Sequence, residues 1–155
     1  LEKINFSELK IEQLGYVYKN IEKHAKLMEK TLGLPKFQII DVPNLETKFR
    51  DKSTKVDIKV GFSKLGTYEL ELIQWVNGDS IYKEFIEQGK EGLHHYGIYI
   101  DNLELYSTKM KEMGFQSVNA SQFAALKWDY FDTTEVLGVC LEFIEKIKMR
   151  ERKKR

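Results

Sequence analysis

Cysteine is nearly absent from this chain. The single Cys140 sits in an apolar stretch, so neither a disulfide framework nor a cysteine-based zinc motif can be built. Long apolar runs are missing too: none approaches the roughly 20 residues of a membrane-spanning helix, and the N-terminus lacks the charged, apolar and small-residue order of a secretory signal. A cytoplasmic location with no membrane partner is the resulting expectation. Histidine is scarce, with only His24, His94 and His95, and Arg50 is the only arginine before Arg150. Any bound metal must therefore rely on carboxylate or amide oxygens beside one or two imidazoles. Net charge is also small, at +1, but it is unevenly spread: the tail over 147–155 is strongly basic, which leaves the body acidic by comparison. A terminal charge run of this kind is usually solvated, so nucleic acid is an unlikely partner.

What is present is a folded-protein balance, 42% hydrophobic and 32% charged over 155 residues, which suits one domain with a substantial core. The chain also repeats itself. Leu14-Gly15-Tyr16-Val17-Tyr18-Lys19-Asn20-Ile21-Glu22 returns as Tyr96-Gly97-Ile98-Tyr99-Ile100-Asp101-Asn102-Leu103-Glu104, at a constant offset of 82 (96 − 14). Each copy is a β-rich run followed by an Asn suited to cap a helix and a Glu in the favourable first turn. Apolar residues at helical spacing follow in both, Ile21, Ala25, Met28 and Leu32 before Gly33, then Leu103, Tyr106, Met110 and Met113 before Gly114. Strand-like runs come next, at 37–42, 56–63 and 67–75 in the first half and 115–118, 124–131 and 138–147 in the second. Leu65-Gly66 reads as a hairpin turn, 81–88 as a short connecting helix, and the polar, charged segment 44–55 as a long mobile loop placed as a lid.

The expected fold is α+β: two tandem βαβββ modules, about 11–75 and 93–146, joined by a connector over 76–92. Together they form a curved eight-stranded mixed sheet with helices on its outer face. Strand alternation then orients side chains. Leu70 and Leu72 face a helix, so Glu69 and Glu71 face inward. Leu141 and Phe143 do the same, turning Glu142 inward. His95 stands at the repeat position of Gln13 (95 − 82) and points the same way, while His94 takes the opposite parity of a core or interface residue. Tyr16, Tyr18 and Tyr96 have helix-facing parity, and His24 belongs to a helix surface. Four polar groups, Gln13, Glu71, His95 and Glu142, therefore converge. They form a hard-leaning donor set suited to one divalent ion: zinc, nickel, cobalt, manganese or magnesium. Gly15 and Gly97 either keep space open there or mark bulges or close packing.

With these residues the sequence resembles the vicinal oxygen chelate superfamily, which includes glyoxalase I, methylmalonyl-CoA epimerase, extradiol dioxygenases and bleomycin-resistance proteins. The resemblance is carried by Glu91-Gly92-Leu93-His94-His95, by Leu137-Gly138-Val139-Cys140-Leu141-Glu142-Phe143-Ile144-Glu145, and by Leu70-Glu71-Leu72-Ile73. The run from Gly78-Asp79-Ser80 through His95 looks most like the epimerase branch, whereas the Gln, Glu, His, Glu donor set is similar to that of some glyoxalase I enzymes. It implies metal-assisted removal of a proton next to a carbonyl, by an isomerase or lyase acting on a thioester or hemithioacetal-like small molecule. Glu142 would then be the first base and Glu71 the second. A homodimer is implied as well. The same resemblance covers a non-catalytic binding or resistance protein; a ring-cleaving dioxygenase fits less well, because Gln13 breaks its two-histidine, one-carboxylate triad. Arg50 in the expected lid is a candidate contact for an acidic or phosphate-bearing substrate, and Trp128 and Tyr130 are candidates for the pocket wall. Each of these three has an ordinary alternative, a solvated loop charge for Arg50 and core packing for the two aromatics.

Overall fold

A computed structural model describes residues 3–148, so the basic segment 149–155 lies outside the described residues. After a short 3-10 turn at Phe6–Glu8 the chain forms β1 (Gln13–Val17), α1 (Ile21–Leu32), β2 (Gln38–Phe49), β3 (Lys52–Leu65) and β4 (Tyr68–Asn77). A connecting helix α2 (Ile81–Glu87) leads to β5 (Gly92–Tyr99), α3 (Leu103–Glu112), β6 (Ser117–Phe123), β7 (Leu126–Phe131), the single-turn α4 (Thr134–Leu137) and β8 (Cys140–Lys146). The expected pair of βαβββ modules is thus observed. Their eight strands close into a barrel in the order β1-β4-β3-β2-β6-β7-β8-β5. β1 pairs in parallel with β4, as β5 does with β8, and the modules meet twice, through antiparallel β1–β5 and β2–β6. Among the described residues no helix is long and apolar enough to cross a membrane.

The repeat is visible in its caps. Asn20 Oδ1 accepts the Lys23 N–H at 3.1 Å, and Asn102 Oδ1 accepts the Leu105 N–H at the same distance. Caps of this kind are worth about 1 kcal/mol each. Both long helices lie outside the barrel and bury one face against it. Ile21 and Ala25 of α1 pack on Leu70 and Leu72, and Met110 of α3 packs on Leu141 and Phe143. Tyr16 and Tyr18 join the first of these clusters and Tyr96 the second, as their parity required. With Leu70, Leu72, Leu141 and Phe143 committed to the helices, Glu71 and Glu142 are left on the inner face. The barrel interior holds a third cluster, built from Val17, Val42, Leu45, Val60, Ile73 and others, which α2 joins through Ile81 and Tyr82.

Two expectations are overturned. Segment 44–55 is not a mobile loop: β2 runs to Phe49, β3 starts at Lys52, and a two-residue turn at Arg50-Asp51 joins them with both φ angles positive (46° and 63°). Turns with two left-handed residues match the twist of paired strands. The charged residues of this segment face outward, while Leu45 and Thr47 are buried and Phe49 packs inward. That alternation is a strand signal, and the extension is what reaches β6, pairing Thr47 with Ser121 and Phe49 with Asn119 to close the barrel. In the second module β6 continues to Phe123, and Ala124-Ala125 form the turn, Ala124 taking a φ of 52°. No glycine, proline, asparagine or aspartate marks this turn, so its position was not expected. The 132–138 connection contains α4.

Candidate metal centre

The inner faces of β1, β4, β5 and β8 bring the four expected donors together. His95 is fully buried, and its Nε2 lies 3.0 Å from Glu142 Oε2, 3.2 Å from Glu71 Oε1 and 3.3 Å from Gln13 Oε1. One ring N–H cannot donate to three oxygens at once with good geometry. Glu71 Oε1 and Glu142 Oε2 are correspondingly buried without a geometrically sound hydrogen-bond donor. The spacing suits a different arrangement. Ligand bonds of ~2.1 Å place neighbouring donors about 3.0–3.4 Å apart around an octahedral or tetrahedral ion, and the three oxygens stand at that range from His95 Nε2. Donor atoms of Glu71, His95 and Glu142 all fall within 4.8 Å of one another, so these residues, with Gln13, fit a single divalent ion.

Glycine makes this possible. β1 and β5 lie side by side with Gly15 opposite His95 and Gln13 opposite Gly97, a reciprocal arrangement that follows from the repeat. A Cβ on Gly15 would stand 1.9 Å from the His95 ring, and one on Gly97 would stand 2.7 Å from Gln13. Each glycine therefore yields its side-chain volume to the ligand on the neighbouring strand.

Behind the donors lie groups whose roles were not assigned from sequence. Gln13 Nε2 donates to Glu69 Oε1 at 2.7 Å, which fixes the amide so that its oxygen faces His95; Tyr99 OH donates to the same carboxylate oxygen at 3.0 Å. Glu69 and Tyr99 share strand parity with Glu71 and His95, the signal by which they can be found. His94 does not leave the site despite its opposite parity, for its Nδ1 is 3.1 Å from His95 Nδ1. If Nε2 of His95 faces the carboxylates, its Nδ1–H donates and His94 Nδ1 accepts, which sets the His95 ring as second partners of metal-bound histidines do. Burial, and then the neighbouring His95 and Lys90, hold His94 well below the usual imidazole range, consistent with a neutral acceptor.

Burial alone would lower the His95 pKa, but the Glu142 and Glu71 carboxylates outweigh it and raise it to about 9. Burial holds Glu71 above the usual carboxylate range, with the nearby His95 opposing and the Glu142 charge reinforcing. Two acids held 3.0 and 3.2 Å from one imidazole thus behave as a proton-loaded cluster that a cation can replace.

The donors form one wall of an internal cavity of about 230 Å³, which reaches the surface beside Phe123 and Ala124. Its other walls are mostly apolar. Trp128 and Tyr130 both line it, and Tyr130 is joined to Tyr82 by a hydroxyl contact of 2.9 Å. Arg50 is not there. From its hairpin turn it forms a two-pronged pair with Glu84, at 2.9 and 3.0 Å, and lines a separate cleft of about 640 Å³ with His94 and Cys140.

The family model of the Glyoxalase/Bleomycin resistance protein/Dioxygenase superfamily matches residues 12–130. No curated protein matches the chain in sequence. Among solved structures, a hypothetical protein from Bacillus halodurans C-125 is similar over 93% of this chain and 99% of its own, at 23% identity and a TM-score of 0.70. Methylmalonyl-CoA epimerase from Mycobacterium tuberculosis is similar over 89% of this chain and 88% of its own, at 13% identity and a TM-score of 0.65. A variant of the Streptomyces coelicolor methylmalonyl-CoA epimerase, in complex with 2-nitronate-propionyl-CoA, is similar over 89% and 94%, at 14% identity and a TM-score of 0.68. At these identities the likeness is one of fold.

Proposed function

Because the chain belongs to the Glyoxalase/Bleomycin resistance protein/Dioxygenase superfamily, we propose that it is a divalent-metal-dependent isomerase or lyase that removes a proton next to a carbonyl group. One observation carries this reading: Gln13, Glu71 and Glu142 each aim an oxygen at the buried His95 Nε2 at ligand-to-ligand spacing, at the edge of a cavity sized for a small molecule. Gln13, Glu71, His95 and Glu142 would hold the ion, which when bound supplies Lewis-acid polarisation of a substrate carbonyl.

The remaining work falls to the chain itself. Glu142 takes the α-proton as base; it is buried on the inner face, where its Oε2 lies 3.0 Å from His95 Nε2. Glu71, from the equivalent strand of the other module, is the second base; burial has already raised its proton affinity, as a shuttle requires. Glu69 keeps the Gln13 amide in place and His94 keeps the His95 ring in place. The apolar walls exclude water, which strengthens every charge interaction at the reacting carbon.

The test is metal analysis of the purified protein, followed by deuterium exchange from solvent into methylmalonyl-CoA, the methylglyoxal–glutathione hemithioacetal and 2-hydroxyacetophenone. The expected result is about one ion per chain with exchange into at least one compound, abolished by chelation and by Glu142→Gln with metal retained. A chain that binds no divalent ion and exchanges none of the three is instead a small-molecule binder of the same fold, a reading that the mostly apolar cavity favours on its own.

A further inference from the structure

We infer that the part of the substrate enclosed by the barrel is uncharged, a compact apolar group bearing carbonyl or hydroxyl oxygens and no free carboxylate. This rests on the metal-dependent reading above and narrows it to a substrate class.

Charge balance gives the first reason. Glu71 and Glu142 face the site directly, whereas Glu69, behind Gln13, lines a separate cleft with Lys64 and Lys127. With His95 neutral as a ligand, one dication against the Glu71 and Glu142 carboxylates leaves no net positive charge (2 − 2). No lysine or arginine lines the cavity to supply any. Arg50, the one arginine within the described residues, is held by Glu84 in the other cleft. A carboxylate brought into this enclosure would be a third anion with no cation of its own, and burying an unpaired charge is strongly unfavourable.

Wall chemistry gives the second. Ile40, Val42, Ile58, Val60, Phe62 and Ile144 supply an apolar surface, and about 230 Å³ accommodates roughly ten non-hydrogen atoms at protein packing density. The polar groups beyond the donors are neutral hydrogen-bond donors. Trp128 lines the cavity and its indole N–H is buried without an acceptor. The Tyr82–Tyr130 contact uses one phenol proton and leaves the other to be donated. A neutral hydroxycarbonyl compound satisfies the unpartnered donor and adds no charge. Methylmalonyl-CoA, whose acyl group carries a free carboxylate, does not suit this enclosure; the reacting part of a hemithioacetal does.

The test compares two molecules of similar size on the metal-loaded protein, neutral 2-hydroxyacetophenone and anionic mandelate, by calorimetric titration. The neutral probe should bind at least tenfold more tightly, and Trp128→Phe should weaken it severalfold without changing metal stoichiometry. Mandelate binding equally or more tightly overturns the inference, and so does failure of the neutral probe to bind. The titration is repeated on chelator-treated protein. If the protein takes no metal yet still prefers the neutral probe, the metal-dependent reading fails and the charge argument stands. If metal is bound and deuterium exchange occurs but mandelate wins, only the charge argument fails.

Discussion

Replacing Gly15 with alanine tests whether the site is built by close approach of two strands. The new Cβ would lie 1.9 Å from His95 Cε1 and 2.1 Å from Nε2, where carbon contacts normally settle at about 3.5–4.0 Å. Relief requires the ring to retreat by roughly 1.5–2 Å or β1 and β5 to separate, and the fully buried ring has little room. Overpacking of this kind costs about 1–3 kcal/mol, which for a chain of this size lowers Tm by roughly 3–10 °C. The functional loss should be larger, because ligand positions must hold to within about 0.2 Å. Metal affinity should fall at least ~100-fold. Thermal melts of the chelator-treated variant, alongside a metal titration, separate the two effects. Gly61→Ala is the control: it lies in β3, its nearest new contact is Ile39 Cγ1 at 3.1 Å, and the donors are untouched, so it should keep full metal binding. Retention of both Tm and affinity in Gly15→Ala would refute the close-approach account.

Four further outcomes are expected. Metal affinity should rise about tenfold per pH unit up to about pH 9 and then level off, since the His95 proton must leave first; a competition titration with a chromophoric chelator reads this, and a flat profile between pH 6.5 and 8.5 counts against it. The sign reverses for the metal-free protein: a raised histidine pKa stabilises the fold fully below the ordinary value of 6.5, and that contribution is lost as pH rises through about 9, so chelator-treated Tm should decline over that window. Glu69→Ala should free the Gln13 amide and weaken metal binding about tenfold while His95 and the carboxylates keep their places, measurable by the same titration. Asn20→Ala and Asn102→Ala should each cost about 1 kcal/mol in denaturant unfolding, and the double variant should show their sum, because the two helices share no contact cluster.

The parts of the fold readable in the sequence were those with a strong local period. Paired Asn caps, the offset of 82 and the alternation Leu70-Glu71-Leu72 and Leu141-Glu142-Phe143 placed both modules and turned the right carboxylates inward. The donors could be found because the two helices claim the apolar neighbours of each carboxylate. What stayed hidden depends on pairing between distant strands. The β2–β3 extension is stabilised by Ser121, Ala120 and Asn119, more than 70 residues away, and a charged outer face disguised it as a loop. Arg50 was misplaced for the same reason: as a lid residue it would reach the substrate, but as a turn residue it is held by Glu84. His94 escaped notice because alternation assigns it to the opposite side, whereas the register shift of β1 against β5 between Gly15 and Tyr16 lets its ring meet that of His95.

Duplication also explains why a symmetric frame holds an asymmetric cavity. The candidate donors come evenly from the two modules, Gln13 and Glu71 from the first and His95 and Glu142 from the second, because each pair sits on one parallel strand pair, β1–β4 or β5–β8. The walls are not shared in this way. β2 and β3, at 12 and 14 residues, are about twice as long as β6 and β7, at 7 and 6. The longer hairpin supplies the aliphatic side, with Ile40, Val42, Ile58 and Val60, while the shorter one supplies the indole and phenol of Trp128 and Tyr130. The proposed substrate would turn its apolar face toward the first module and its hydrogen-bonding atoms toward the second. On the proposed function, the frame would fix where the chemistry occurs, and the unequal hairpins would orient what is bound.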